Sequence, residues 1–331
     1  MSKLIRLIVV GLLLFVLACS NELDLIVPAE STPIVYGVLC PQDSIHKVKI
    51  LKSFICDSRP EDCAKIPDSL YYTDATVFLE LRSEDGYVIE RTQLHKENLG
   101  SKDEGFFASS PNWFYTNQEM QLISSSEGRL VYYYLTIFLP ENNSSVFAKA
   151  LIPPTPKLSV NLRSDATLNL YQAKPPEAII SRSKVYAQEF SVIINIEEEI
   201  HGRWEPQKVS YIRKYGLQGL RGGKTDTLFF DAGWFFPMIS GKIKDNPEVT
   251  GRRFLNIQII KRFIDPAYYE YYSSLHYGTD LFENMLTNIV NGLGLFAAYN
   301  KSELSGITLD QRSLDSLALG SITRQLLFER W

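Results

Sequence analysis

The residues point to a mainly β protein built as two β-sandwich-like domains, the second carrying one or two short α-helices. Three observations carry this. Short runs in which apolar and polar residues alternate recur along the chain, the mark of half-buried strands. Tyr and Phe are equally abundant, with 18 of each, beside many Val, Ile and Thr runs, a composition that favours strands. The cluster Pro153-Pro154-Thr155-Pro156 interrupts both periods and marks a boundary, so 34–156 is expected to form an immunoglobulin-like N-terminal sandwich and 157–331 a C-terminal β-rich domain. A length of 331 residues suits two domains.

The elements follow in chain order. Pro33 opens the buried-strand run Ile34–Leu39, Asp43-Ser44 turns, and Val48, Ile50 and Phe54 recur at even spacing. Ala75, Val77, Leu79 and Leu81 alternate with Thr76, Glu80 and Arg82, and Glu84-Asp85-Gly86 turns the chain into Tyr87–Thr92, the clearest hairpin. Residues 95–112 read as polar and broken by Gly100, Gly105 and Pro111. Leu130–Leu139 is apolar at both parities, which predicts a central strand covered on both faces, and Ser145–Ile152 follows it. Beyond the prolines, Phe190, Val192, Ile194 and Ile196 alternate with polar residues. Val209–Tyr215 and Thr227–Phe230 flank a glycine-rich turn, and Leu255, Ile257 and Ile259 mark another strand. Asp265-Pro266 has the N-cap and first-turn residues of a helix. Tyr268, Tyr271, Tyr272 and Leu275 then share one face, placing a helix near 266–276. Asn291–Gly294 turns into the strand Leu295–Tyr299, and a last helix starts at Asp310 and stops at Gly320.

The start of the chain predicts its location. Lys3 and Arg6 precede an unbroken apolar run from Leu7 to Ala18. That is a charged start and greasy core of a secretory signal, too short for a spanning helix of about 20 residues. Val16-Leu17-Ala18-Cys19 resembles the bacterial lipobox. Residues 1–18 are therefore expected to be a lipoprotein signal peptide, Cys19 the lipidated N-terminus and 19–33 a tether. Glu22 and Asp24 resemble the signal that sends Bacteroidota lipoproteins to the cell surface; the periplasmic face of the outer membrane is the alternative.

Net charge is −4, and about −6 without Lys3 and Arg6, which disfavours nucleic acid as a partner. In an oxidising compartment Cys56 and Cys63, bracketing a polar loop, are the expected disulfide. Cys40 is left over at the end of a strand-like run. A zinc site is disfavoured by the spacing.

Further along, Asp43-Ser44-Ile45, Val48-Lys49-Ile50, Ser53-Phe54, Asp74–Val77, Ala150–Pro153 and Tyr268–Leu275 resemble a Bacteroidota outer-membrane lipoprotein family of unknown function. So does the most specific stretch, Thr287–Phe296, with its Asn-Ile-x-Asn-Gly-x-Gly-x-Phe pattern. The resemblance spans most of the chain, the cysteine loop and residues 216–226 excepted. It implies an envelope location and a TonB-dependent outer-membrane transporter as partner; it implies no catalytic residues.

Motifs for chemistry are weak. Gly222-Gly223-Lys224-Thr225 lacks the first glycine of a phosphate loop, where Gln218 stands, and sits between strands. His46, His95, His201 and His276 have no helical zinc spacing. Glu197-Glu198-Glu199 offers carboxylates for acid–base work or calcium, but a strand running into a solvated acidic loop explains it as well. No nucleophile elbow appears. No catalytic residue, metal or cofactor is therefore expected.

The aromatic clusters are the remaining candidates: Trp113 and Tyr115 in a polar loop, Trp234 and Phe235 between Gly233 and Pro237, and Tyr268 and Tyr272 on the helix. They would serve as a saccharide or peptide platform, or an interface, if exposed, and as core if not. Ser44, Ser69, Thr227 and Ser316 fit the Asp-Ser/Thr-apolar pattern that Bacteroidota O-glycosylate. The expected role is a non-enzymatic accessory of a TonB-dependent transporter in nutrient uptake. A structural or assembly lipoprotein of the envelope is the first alternative, and a hydrolase with a site not local in sequence the second.

Overall fold

The computed structural model describes residues 31–53, 59–83, 85–158, 160–181, 183, 185–217, 225–277 and 287–330. The chain is mostly β, as expected, with few helices. Cys19 and Cys56 lie outside the described residues.

Seven strands open the chain: β1 (Pro33–Leu39), β2 (His46–Lys52), β3 (Thr76–Arg82), β4 (Val88–Asn98), β5 (Trp113–Asn117), β6 (Tyr132–Leu139) and β7 (Ser144–Leu151). Strand β4 makes the sandwich. Its first part pairs with β3, from Val88 to Leu94, and its end pairs with β5, from His95 to Asn98. One layer runs β4-β3-β6-β7 and the other β4-β5-β2-β1. Val48, Ile50, Val77, Leu79, Leu135, Ile137, Val146 and Ala148, the alternate residues of these strands, fill the first core.

Two reassignments concern this part. The Trp113–Tyr115 stretch is strand β5 rather than loop; its polar residues Thr116 and Asn117 are buried and hide the strand period. β6 is central, between β3 and β7, yet covered on one face only: Tyr132, Tyr134 and Thr136 are half-buried and Phe138 is exposed.

The second half holds β8 (Thr167–Leu168), β9 (Glu177–Ser181), β10 (Ala187–Ile200), β11 (Arg203–Tyr215), β12 (Thr225–Phe229), β13 (Val249–Ile264), β14 (Ile289–Val290) and β15 (Leu293–Leu309), with helices α1 (Ala232–Lys242), α2 (Pro266–Tyr277) and α3 (Gln311–Leu319). The long strands form a sheet in the order β11-β10-β13-β15. A second core under it takes Phe190, Val192, Ile194 and Ile196 of β10, with Phe235 and Ile239 of α1 and Leu317 of α3. Asp231 caps α1 through Trp234 N and Asp310 caps α3 through Ser313 N. Strands β11 and β12 do not form a hairpin: β11 pairs with β10 and β12 with β9. The glycine-rich stretch 218–224 between them lies outside the described residues. Glu197–Glu199 are strand, not loop, and Glu198 meets Arg252 at 2.7 Å.

β15 joins the two sheets. From Ile34↔Leu293 to Leu39↔Ala298 it runs parallel to β1, and from Tyr299 onward it pairs with β13. Ile289, Phe296 and Ala298 therefore belong to the first core, although they come from beyond the proline cluster.

The Asn-Gly-x-Gly stretch between β14 and β15 is a sheet corner. Gly294 has φ +108°, and a Cβ there would lie 2.1 Å from the Val35 carbonyl oxygen. This corner, together with β14, Asn288 before it and Asp265 at the start of α2, closes the outer edge of β7. Asn291 Nδ2 donates to Ser145 O at 2.9 Å, Asn288 Nδ2 to Lys149 O at 3.3 Å, and Leu151 N donates to Asp265 Oδ2 at 2.9 Å. An edge capped in this way offers little for strand addition.

Candidate functional site

Cross-strand register decides which side chains share the outer face of the N-terminal sandwich. Phe78 lies opposite Thr136 and Glu80 opposite Tyr134; Tyr134 lies opposite Lys149 and Thr136 opposite Phe147; Phe147 lies opposite Val290. The inward alternates are core, so this set faces out.

Aromatic rings and cations alternate across that face. The Arg91 guanidinium lies 3.7 Å from the centroid of Phe78, Arg82 lies 4.8 Å from that of Tyr134 and Lys149 lies 5.4 Å from that of Tyr132. Glu80 is buried beneath them and holds Arg82 at 2.5 Å and Arg91 at 3.2 Å. The carboxylate fixes two guanidinium planes over aromatic faces, an arrangement that keeps both groups presentable.

The face ends in a cleft of about 430 Å³ between β6, β7 and the start of α2. Its walls are Tyr132, Tyr134, Phe147, Pro266, Ala267 and Val290, with Lys149, Asp265 and Asn288 as the polar groups. Asp265 positions the wall. Its Oδ1 accepts from Ala267 N at 3.0 Å as the cap of α2, its Oδ2 accepts from Leu151 N, and its own N–H donates to Ala298 O. Burial pushes its carboxyl up to about 6, against the pull of these backbone N–H groups. An apolar cleft with a few convergent polar groups, where two sheets meet, is the usual setting of a binding site.

On the other flank of α2 lies a second cleft of about 370 Å³, with Tyr268, Tyr269, Tyr272, Glu189 and Lys214 around it. Tyr268 and Tyr272 form a tilted ring pair 4.7 Å apart, and burial pushes the Tyr268 phenol up to about 12.

The other candidates are dispersed. Tyr115 is in the first core and Phe235 in the second. Trp113 is half-buried with Lys96 5.4 Å from its ring. Trp234 is half-buried against Tyr211, Phe230 and Phe235. Ser44 is exposed; Ser69, Thr227 and Ser316 are half-buried, and Ser316 Oγ donates to Arg312 O. Cys40 is free and buried, with its thiol pushed up by that burial, which makes it unreactive. Among the described residues, no group of His, Cys, Asp and Glu is arranged to hold a metal, and no helix is long and apolar enough to cross a membrane.

Sequence reasoning alone did not find Arg82, Arg91, Lys149 and Phe147. The available signal was the aromatic residue at the outward parity of β3 and β6, where a solvated face calls for polar side chains.

The family described as "Domain of unknown function (DUF4249)" matches residues 21–305. No curated protein matches the chain. Among solved structures it is similar to a DUF4785 family protein from Legionella pneumophila, at 15% identity and a TM-score of 0.24, over 70% of this chain and 52% of that one. It is also similar to trypsin-activated alpha-2-macroglobulin from Escherichia coli, at 8% identity and a TM-score of 0.20, over 71% of this chain and 14% of that one. The chain thus spans about half the length of the first of these, and scores this low carry nothing about its fold or role.

Proposed function

Because the chain belongs to the DUF4249 family, whose description names no activity, we propose its role from its own residues: a lipid-anchored protein of the outer membrane, displayed at the cell surface, that binds rather than catalyses and serves a TonB-dependent transporter in nutrient uptake. The anchor is read from Lys3, Arg6, the apolar run and Cys19. The transporter comes from the resemblance to Bacteroidota lipoproteins. The pairing of Cys56 with Cys63 belongs to the same proposal; Cys63 is buried and is not a free thiol.

The observation that carries a binding role is the aromatic–cationic face and the cleft at its end. Aromatic rings held outside the core under fixed cations form a surface suited to a protein partner or to a saccharide or peptide. The test is a pull-down from native outer membranes in mild detergent, with a C-terminal tag. The wild type is expected to bring down a stoichiometric transporter, and Tyr134→Ala with Phe147→Ser to lose it. The lipoprotein recovered alone in both cases would overturn the reading.

A further inference from the structure

One end of the N-terminal sandwich collects five segments: the first described residues at the start of β1, the loop from β2 to β3, the loop from β4 to β5, the β6–β7 turn and the β14–β15 corner. The registers require this. Pro33 lies opposite Lys52, Asn98 opposite Trp113, Thr76 opposite Phe138, and Ile34 opposite Leu293. The chain that leads back to Cys19 leaves from here. The C-terminal sheet lies at the other end, because β15 starts at this end and reaches β13 only after Ala298.

The same end displays apolar side chains that a core beneath them does not take in. Phe106 and Phe107, adjacent on the β4–β5 loop, are 51% and 41% exposed, and their rings meet edge-on with centroids 5.1 Å apart. Ile66, on the loop from β2 to β3, is 50% exposed. The loop that carries the phenylalanines is pinned. Ala108 N donates to Ala64 O at 2.8 Å, Lys102 N to Ser109 O at 3.0 Å, and Lys65 Nζ to Gly105 O. Ala108 itself packs in a small core with Leu70 and Tyr71. The two rings are therefore held out by a braced loop. Lys102 lies 5.5 Å from the Phe107 centroid, a cation beside an aromatic tip, as suits the boundary of a bilayer.

We propose that this end rests on the bilayer surface, with Phe106 and Phe107 entering the interface. The inference rests on the lipid anchor at Cys19. Residues 20–30, with a reach of about 40 Å at most, join the fold at this end, so this is the end the anchor draws toward the membrane. Asp103 and Glu104 precede the tip, so contact comes from apolar insertion and needs no anionic lipid. The cleft and the C-terminal sheet then lie farther from the membrane, free for a partner.

The test uses the full lipidated chain in vesicles of neutral phosphatidylcholine with brominated acyl chains. A bimane label is attached at Phe107→Cys or, as a control in the distant sheet, at Ile212→Cys, whose side chain is 50% exposed. The expected result is quenching at 107 at least twofold greater than at 212, abolished when Phe106→Ser is added, with no change when anionic lipid is included. Protein that floats with the vesicles but shows equal quenching at both positions overturns the inference and leaves the anchor intact. Protein that fails to float, with no lipid in its intact mass, overturns the anchor and the inference with it. A label at 107 shielded from water but not quenched overturns the bilayer as occupant and assigns this end to contact between copies.

Discussion

The two sheets dress their outer faces differently. On the N-terminal sandwich the outward positions hold Phe78, Tyr132, Tyr134 and Phe147, under Arg91, Arg82 and Lys149. In the middle of the C-terminal sheet the outward positions carry no such rings: Ile193 and the exposed Ile212 stand among polar pairs that satisfy each other, Asn195 Nδ2 donating to Asn256 Oδ1 at 2.8 Å and Gln258 Nε2 to Glu303 Oε1 at 2.5 Å. A sheet face in water needs no more than the second solution. The first keeps large apolar area near the surface and a buried Glu80 to order the cations, which makes sense for a face that meets something. Both faces are built on the same kind of strand, so the contrast comes from outward residues alone.

The largest expected effect concerns what closes the first sheet. Gly294→Ala puts a Cβ 2.1 Å from the Val35 carbonyl oxygen at a φ of +108°, where backbone must move. A loss of about 4 kcal/mol is expected, measured by urea denaturation and compared with Gly241→Ala, whose added Cβ meets nothing within 4 Å. Equal losses in the two variants would show that the corner is not what holds β15 to β1.

Next comes Asp265, the link between the cleft wall and β15. Its ordinary value of 3.8 rises to about 6 in the fold. Between those values the unfolded chain releases the proton and the folded chain keeps it, so stability falls as pH rises through this window, by up to about 3 kcal/mol. Glu141 and Asp226 are held below their usual range by backbone and side-chain partners and act in the opposite sense. The useful quantity is therefore the wild-type curve minus that of Asp265→Asn. That difference is expected to slope downward from pH 4 to pH 6.5; a flat difference would place a normal carboxyl at this position.

Much of this architecture was legible in the sequence, and the gaps have physical causes. The outward–inward alternation of β3 and β10 was plain, as were the Asp265 and Asp310 caps, because each depends on neighbours in the chain. The Thr287–Phe296 stretch was conspicuous, but its work was not: Asn288 and Asn291 cap carbonyls of β7 some 140 positions away. Strand β5 was hidden because Thr116 and Asn117 are buried polar residues, with Asn117 Oδ1 accepting from Met120 N at 2.8 Å. Helix α1 was hidden because Trp234, Phe235 and Phe236 are consecutive and show no period. The candidate face was missed because it depends on register between strands, which local spacing does not encode.

The smallest predictions sharpen the contrast between the faces. Glu80→Gln removes the charge that holds Arg82 and Arg91, whose side chains are 31% and 49% exposed. Water screens the two cations, so the expected loss is about 1–2 kcal/mol, short of what a fully buried pair would show. Glu303→Gln on the other face removes a half-exposed charge 3.8 Å from Lys301 while leaving an amide oxygen to accept from Gln258, and a loss of about 0.5 kcal/mol or less is expected. The two variants should separate more clearly in binding. If the aromatic–cationic face meets a partner, Glu80→Gln releases the guanidinium planes from their rings and weakens capture in the membrane pull-down, whereas Glu303→Gln leaves capture unchanged. Equal capture by both, with the stability difference intact, would make the order around Glu80 a device for holding the sandwich together and move the binding surface elsewhere on the molecule.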